Sequence, residues 1–295
     1  MKDVIIIGSG PAGALCAIYL KRYGLDIELI EKSFVGGQAA VTSEIENYLG
    51  FPVIDGAEFS FNISKQLKKM ETKPIKDDIV SVELLGDVKK IIGKKNEYFS
   101  KAVVIATGAR RRKLGVKGEE EFFGRGVSYC ATCDGNFYRN KVVAVAGGGN
   151  TALEEALFLS GICQKVYLIH RREDFRGYLW LSEKVREKEN IELLLSSEIT
   201  EIKGDDRVSK IVVSGKGEID VSAVFVAIGT IPNSEIFDLE KTSNGEIITD
   251  NKMSCSEKGV FACGDVRNTV MKQIITAAAD GAIAAESAMK YLMEK

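Results

Sequence analysis

The sequence predicts an α/β protein made of two similar units, the second inserted into the first, and three observations predict it. A short apolar run, a cluster of glycines and a helical stretch follow one another twice, from residue 3 and again from residue 141. In both copies the first glycine and the residue ending the next apolar run are 23 positions apart, Gly8 to Glu31 and Gly147 to His170. A third apolar run closes each copy, residues 102–106 before Thr107 and Gly108, and residues 223–227 before Ile228 and Gly229. The second copy lies wholly between the first and the segment 259–295, so the first unit is discontinuous. The expected domains are 1–112 joined with 244–295, and 113–243 between them.

Taken in order, residues 3–7 read as a strand buried on both faces, and Gly8-Ser9-Gly10-Pro11-Ala12-Gly13 opens a helix expected over 11–23. One glycine allows the tight strand-to-helix turn, and another lets backbone approach a pyrophosphate. The third position must be small so that helix and strand pack. Residues 26–30 form the next strand and end in Glu31. The second copy repeats the pattern with a strand at 141–146, Gly147-Gly148-Gly149-Asn150-Thr151-Ala152, a helix over 151–160 and a strand at 165–169. Both are Rossmann-like dinucleotide-binding units, with phosphates expected on free N–H groups at a helix N-terminus. Glu31 can accept hydrogen bonds from the ribose of an adenosine without a 2′-phosphate. His170 is followed by Arg171, Arg172 and then Arg176, a guanidinium cluster that suits a 2′-phosphate and therefore NADPH. A solvated basic loop is the plainer reading of those arginines.

The balance of 45% hydrophobic and 28% charged residues over 295 positions is that of an ordinary globular chain able to bury a large core. A net charge of −2 gives no reason to expect nucleic acid or an anionic membrane as partner. Met1-Lys2-Asp3 leads straight into the first strand without the parts of a signal peptide, and no apolar run is long enough to span a bilayer. The cytoplasm is the expected compartment, where thiols stay reduced and a disulfide framework is not expected. Cys16, Cys163, Cys255 and Cys263 then read as small buried hydrophobes.

Cys130-Ala131-Thr132-Cys133-Asp134-Gly135 is different. Two cysteines three apart can close a small disulfide ring, and their proximity lowers the pKa of one thiol. Structural zinc is the competing reading, but it needs four ligands, and the chain has no second CxxC and one histidine, His170. Two inert thiols are the other alternative. Asp134 is the natural proton carrier for thiol–disulfide exchange, with capping of the turn to Gly135 as its plainer role.

With these residues in place, the chain resembles the low-molecular-weight bacterial thioredoxin reductases over essentially its full length. The matching landmarks are residues 8–13, 36–38, 44–47 (from Glu44), 106–108, 130–135, 147–152, 170–176, 263–266 and 273–285. The resemblance implies a homodimer that holds FAD in the first unit and NADPH in the second and reduces thioredoxin or a similar small dithiol protein. It implies flavin contacts at Gly8, Gly10, Pro11, Ala12, Gly13, Glu31, Lys32, Gly37, Gln38, Asn47, Ala106, Thr107 and Gly108. Gly264, Asp265, Lys272, Gln273 and Ile274 complete that set, with Gly264 and Asp265 at the ribityl chain. NADPH would meet Gly147, Gly149, Asn150, Thr151, Ala152, His170, Arg171, Arg172 and Arg176. Cys133 would lie nearer the flavin, Cys130 would attack the partner, and Asp134 matches the acid/base carboxylate. The chain departs from the family's usual residues at Leu49, Lys272, Ala279 and the stretch 177–180, and residues 110–113 are unusually basic, as a solvated hinge or a docking site for an acidic partner or NADPH.

Other readings are weaker. A ferredoxin-dependent flavin thioredoxin reductase would lack the two pyridine-nucleotide motifs, and a flavin–NADP reductase would not need the CxxC. A peroxide-reducing component would carry further thioredoxin-like domains. A nucleotide-sensing module without turnover would not need Cys-Ala-Thr-Cys-Asp. In the related reductases of the glutathione-reductase type the disulfide sits on the first flavin-domain helix. Here the corresponding stretch, residues 36–42, has no cysteine, and Cys130 and Cys133 precede the strand at 141–146, so the disulfide is expected to travel with the NADPH unit. Hinges are therefore expected near 110–113 and 242–245.

Overall fold

In the computed structural model, which describes residues 1–42 and 45–294, the chain enters a parallel sheet at once. The landmark residue Glu44 lies outside the described residues. β1 (Lys2–Ile7) is buried along its last four residues, as a strand covered on both faces must be. α1 (Pro11–Arg22) has proline at its first position, where no N–H is needed. It stops at Gly24 (φ +78°), whose N–H bonds the Lys21 carbonyl while the Leu25 N–H reaches Leu20. β2 (Ile27–Glu31) pairs parallel with β1. α2 (Gly56–Lys69) is capped by Asp55, whose carboxylate accepts from the Ala57 and Glu58 N–H groups. β3 (Ile75–Lys76), β4 (Ile79–Glu83), β5 (Lys89–Gly93), β6 (Glu97–Ile105) and β7 (Ala109–Arg111) follow. β6 starts well ahead of the run expected at 102–106. Its first half alternates buried and exposed against antiparallel β5, and its last four residues are buried throughout beside parallel β1. Such alternation hides a strand from a search for apolar runs.

The second unit contains β8 (Val127–Ser128), α3 (Ala131–Asp134), a 3-10 turn at Gly135–Tyr138, β9 (Val142–Ala146) and α4 (Asn150–Ser160). β10 (Lys165–Ile169), α5 (Leu179–Arg186) and β11 (Ile191–Leu194) come next. Then β12 (Ile199–Gly204), β13 (Val208–Val213) and β14 (Gly217–Asp220) form an antiparallel sheet of three, before β15 (Ala223–Val226) returns. The main sheet is parallel, in the order β11-β10-β9-β15-β8. Its core mixes Val143, Val145, Leu168 and Phe225 with the inner face of α4.

β16 (Thr230–Pro232) pairs with β7 where the chain leaves this unit, and β17 (Val260–Ala262) and α6 (Ile274–Met293) complete the first one. Its sheet has the order β3-β2-β1-β6-β5-β4, with β17 parallel to the buried end of β6. α6 lies so close to α1 that a Cβ at Gly281 would stand 2.1 Å from the Ala12 carbonyl oxygen. The two compact units are Met1–Arg110 with Ile231–Lys295, and Arg111–Thr230. The second crossing therefore falls at Thr230–Ile231, earlier than the expected 243–244. The reason is that residues 233–245 are bound to the first unit. The Asn233 N–H bonds the Gly108 carbonyl, its side-chain amide bonds the Thr107 carbonyl, and the Ser234 hydroxyl bonds the Gly245 carbonyl. Residues 242–245 are a tight turn closed by the Gly245 N–H on Thr242, not a free connection. Among the described residues no helix is long and apolar enough to cross a membrane.

Candidate active site

In the first unit the expected flavin positions converge on the start of α1. Gly8 has φ +102°, and an added Cβ would meet the Ala106 oxygen at 2.3 Å. A Cβ at Gly13 would meet the Gly8 oxygen at 1.9 Å, so strand and helix touch through backbone. Gly10 caps α1 without a side chain, and space beside its Cα is open, which leaves the first-turn N–H groups of Ala12 and Gly13 for an anion. The Gly36 N–H bonds the Ser9 carbonyl, a Cβ at Gly37 would lie 3.4 Å from Gly10, and one at Gly264 would lie 3.0 Å from the Ala12 methyl. Glu31 is held at this turn by partners that sequence reasoning missed. Its Oε2 accepts from the Ser9 N–H (2.8 Å) and hydroxyl (2.9 Å), and Oε1 accepts from the Ser33 N–H (2.8 Å). The set therefore fits a dinucleotide without a 2′-phosphate.

The remaining positions form a second group in the same unit. The Gln38 amide donates to the Ala109 carbonyl, the Asn47 amide donates to Gln273 Oε1 at 3.0 Å, and Thr107 Oγ1 donates to the Asn233 carbonyl at 2.7 Å. Gly108 turns the chain at φ +65°. Gln273 caps α6 in a reciprocal box with Thr276, and Ile274 is the first residue of that helix. Lys272 Nζ bonds Glu246 Oε1 at 2.7 Å. Burial pushes the Asp265 carboxyl up, opposed by the charge of Lys272. Lys32 is exposed.

The second unit repeats the turn with different filling. A Cβ at Gly147 would meet the Ala227 oxygen at 2.4 Å, while the space beside Gly149 is open and α4 starts there uncapped. Ala152 is fully buried, and Asn150 uses its side-chain oxygen to accept from the Tyr178 N–H at 2.7 Å. Glycine at 177 permits this, since a Cβ there would meet Leu153 at 2.5 Å. The His170 ring fills the place where a side chain at 148 would go, 2.4 Å from that Cβ. It is buried and stacked on Phe175, with Nε2 unpartnered, and burial pushes its pKa down, so it is neutral. Thr151, Arg171, Arg172 and Arg176 are exposed. Among the described residues no carboxylate pairs with these three arginines, and the donor set fits an anionic 2′-phosphate.

Cys130 and Cys133 form a disulfide, with Cys130 at the N-cap of α3 and Cys133 in its turn. Among the described residues no group of three or more histidine, cysteine, aspartate or glutamate side chains is placed to hold a metal ion. Asp134 follows directly. Its Oδ2 accepts from the Ser128 hydroxyl at 2.6 Å, its Oδ1 is buried without a partner, and burial raises its pKa against the pull of Ser128 and Arg111. The four other cysteines are free, and burial pushes each thiol up, which leaves them poor nucleophiles.

Of three neighbours of the disulfide, Ser128 and Glu155 were not singled out in the sequence, and Arg111 was singled out only as part of the basic stretch 110–113. Ser128 binds Asp134 and, through its hydroxyl oxygen, accepts the Cys130 N–H at 3.1 Å. Arg111 lies over the Tyr129 ring, 5.0 Å from its centroid, and its charge acts on Asp134. Glu155 of α4 accepts the Ala131 N–H. Within the basic stretch 110–113 the boundary between the two compact units falls at Arg110–Arg111, and Arg112 and Lys113 are exposed. Arg110 binds Glu235 and Asn233, Lys113 binds Glu120, and Arg111 serves the redox loop. Glu155 was detectable, because its spacing from Ala152 and Leu159 puts a carboxyl on the inner face of an otherwise apolar helix side.

Residues 2–281 match the family described as pyridine nucleotide-disulphide oxidoreductase. The chain is 41% identical to the thioredoxin reductase of Peptoclostridium acidaminophilum, covering 98% of this chain and 96% of that one. It is 39% identical to that of Listeria monocytogenes, covering 99% and 94%. The crystal structure of thioredoxin reductase from Streptococcus pyogenes superposes with TM-score 0.93 at 38% identity, covering 100% of this chain and 99% of that one. The expected resemblance, the two-unit Rossmann-like α/β fold and the reaction class are borne out: this is an FAD- and NADPH-dependent disulfide oxidoreductase of thioredoxin reductase type. The chain belongs to the pyridine nucleotide-disulphide oxidoreductase family.

Proposed function

We propose that Cys130 and Cys133 are the redox pair through which the chain reduces the disulfide of thioredoxin or a similar small dithiol protein, with Asp134 as the group that moves the proton. The observation that carries this reading is the Cys130–Cys133 disulfide followed at once by a buried carboxyl with one oxygen unpartnered. FAD, when bound, supplies the two-electron chemistry between nicotinamide and disulfide. Gly8, Gly10, Gly13, Glu31, Gly37, Ala106 and Gly264 hold its nucleotide and phosphates, and Gln38, Asn47, Asp265, Lys272 and Gln273 orient the rest. Gly147, Gly149, Asn150 and Ala152 receive the phosphates of NADPH, and Arg171, Arg172 and Arg176 its 2′-phosphate.

Cys130 attacks the partner disulfide as a thiolate, Asp134 takes the thiol proton, and the same carboxyl returns it to the departing sulfur. Cys133 then attacks Cys130, which closes the disulfide and frees the partner as a dithiol. The family resemblance supports a homodimer, which sedimentation of the purified protein tests, and a cytoplasmic location, which fractionation of cells tests. The function itself is tested by NADPH oxidation in the presence of oxidised thioredoxin. Turnover is expected with the wild type and none with Cys130→Ser. Turnover that survives that substitution would remove the redox pair from the mechanism.

A further inference from the structure

α4 brings a second carboxyl to the redox loop. Glu155 Oε1 accepts the N–H of Ala131, the residue directly after Cys130, at 3.2 Å. Its Oε2 is sealed from solvent and has no hydrogen-bond partner, and the same is true of Asp134 Oδ1. Two carboxyls on the packed pair α3 and α4 thus each bury an unpaired oxygen. A buried carboxylate oxygen without a donor costs far more when charged than when neutral, and two like charges close together raise that cost.

The surroundings decide which of the two keeps its charge. Asp134 has the Ser128 hydroxyl and the charge of Arg111. Glu155 has only a backbone N–H, and the charges that bear on it, Asp134 from α3 and Glu154 from its own helix, are both negative. Tyr138, after α3, is also coupled to Asp134. β9, β10 and α5, which also pack on α4, supply apolar side chains such as Val145, Leu168 and Leu181.

We propose that Glu155 is a positioning residue of the redox centre. It holds a proton below neutral pH, so that the pair there carries one negative charge and that charge stays on Asp134. Burial with the two neighbouring carboxylates pushes Glu155 up to about 7, which puts its ionisation in the working range. Glu155 exchanges no proton with sulfur. In each cycle two electrons and two protons leave the Cys130–Cys133 dithiol for the partner disulfide. One partner sulfur leaves as Cys130 attacks, and the other leaves as Cys133 re-forms the disulfide. Asp134 relays the protons, and the charge of Glu155 sets how readily it accepts one. Once ionised, Glu155 adds a negative charge that opposes thiolate formation.

The inference rests on the redox role of Cys130 and Cys133, but its test needs neither NADPH nor a partner protein. Holoenzyme reduced with dithiothreitol and freed of reductant is alkylated with iodoacetamide across pH, and the rate at Cys130 is followed by mass spectrometry. The wild-type profile should bend at two ionisations and that of Glu155→Gln at one. On the rising limb above neutrality Glu155→Gln should react about threefold to tenfold faster, as a charge coupling of half to one pKa unit requires. Glu155→Leu, which also loses the Ala131 contact, should show the same shift. Superimposable profiles for wild type and Glu155→Gln overturn the proposal, and so does a shift in Glu155→Leu alone. If the variants do not fold, infrared spectra of wild type with labelled glutamate replace them. A protonated carboxyl band that fades as pH rises through neutrality supports the proposal, and its absence at pH 6 overturns it. A failure of the thioredoxin reading would appear separately, as absent partner turnover with the alkylation difference intact.

Discussion

The two glycine turns answer the same packing problem differently. In the turn at 8–13 the third small position must be glycine, because backbone oxygen occupies the space where a Cβ would stand, at 1.9 Å. In the turn at 147–152 alanine fills that position and is fully buried. The contacts beyond the turn differ as well. Glu31 closes the first by accepting from Ser9, whereas His170 lies against Gly148 in the second and leads into three exposed arginines. The shared spacing is that of a dinucleotide turn, and under the proposed function the residues that close each turn would decide which dinucleotide it takes.

The sharpest way to break this comparison is to exchange the small residues. Gly13→Ala should yield protein without bound flavin, because one methyl in a backbone contact costs roughly 1–3 kcal/mol even with relaxation. Ala152→Gly should keep its fold and NADPH binding at a cost of about 0.5–1 kcal/mol. Absorbance at the flavin bands and thermal melts check both, and a yellow Gly13→Ala protein of normal stability contradicts the contact. Asp134→Asn should lower partner reduction by roughly 10²–10⁴ while NADPH still bleaches the flavin, since it removes acid–base help at sulfur alone. Equal losses in both half-reactions would assign Asp134 a structural role. Replacing Arg171 and Arg172 together with alanine should erase a preference for NADPH over NADH of about tenfold or more, through KM more than kcat. Unchanged discrimination would return those arginines to a solvated loop.

A further prediction concerns stability. The folded Glu155 carboxyl titrates at about 7, above its ordinary 4.5, so the native state binds an extra proton between those values. Stability is therefore lost as pH rises through that window. Glu155→Gln should gain about 1–3 kcal/mol on the wild type at pH 8 and nothing at pH 4. Urea unfolding at the two pH values measures it, and equal differences at both would show that no proton is held.

Much of this organisation was legible in the sequence because it rests on local geometry. Strand, glycine turn and helix lie within some twenty residues, and the helix starts follow from them, at Pro11 as expected and at Asn150, one residue before the expected 151. What was not legible depends on contacts between distant segments. β6 looked like a short closing strand because its first half pairs with β5. The crossing at Thr230–Ile231 was hidden because Asn233 is tied to Thr107, 126 residues away. Arg111 and Glu155 flank a loop that neither adjoins in sequence, so their partnership with Asp134 exists only once β8, α3 and α4 are packed.

The central claim is that the second unit carries both a nucleotide turn and the working disulfide. Anaerobic titration of the yellow holoenzyme with NADPH tests it most directly. Two redox centres of two electrons each require about two equivalents of NADPH for full reduction of the wild type, and a Cys130→Ser, Cys133→Ser variant requires about one. The same uptake by both proteins would contradict the account, because the disulfide would then stand outside the path of the electrons.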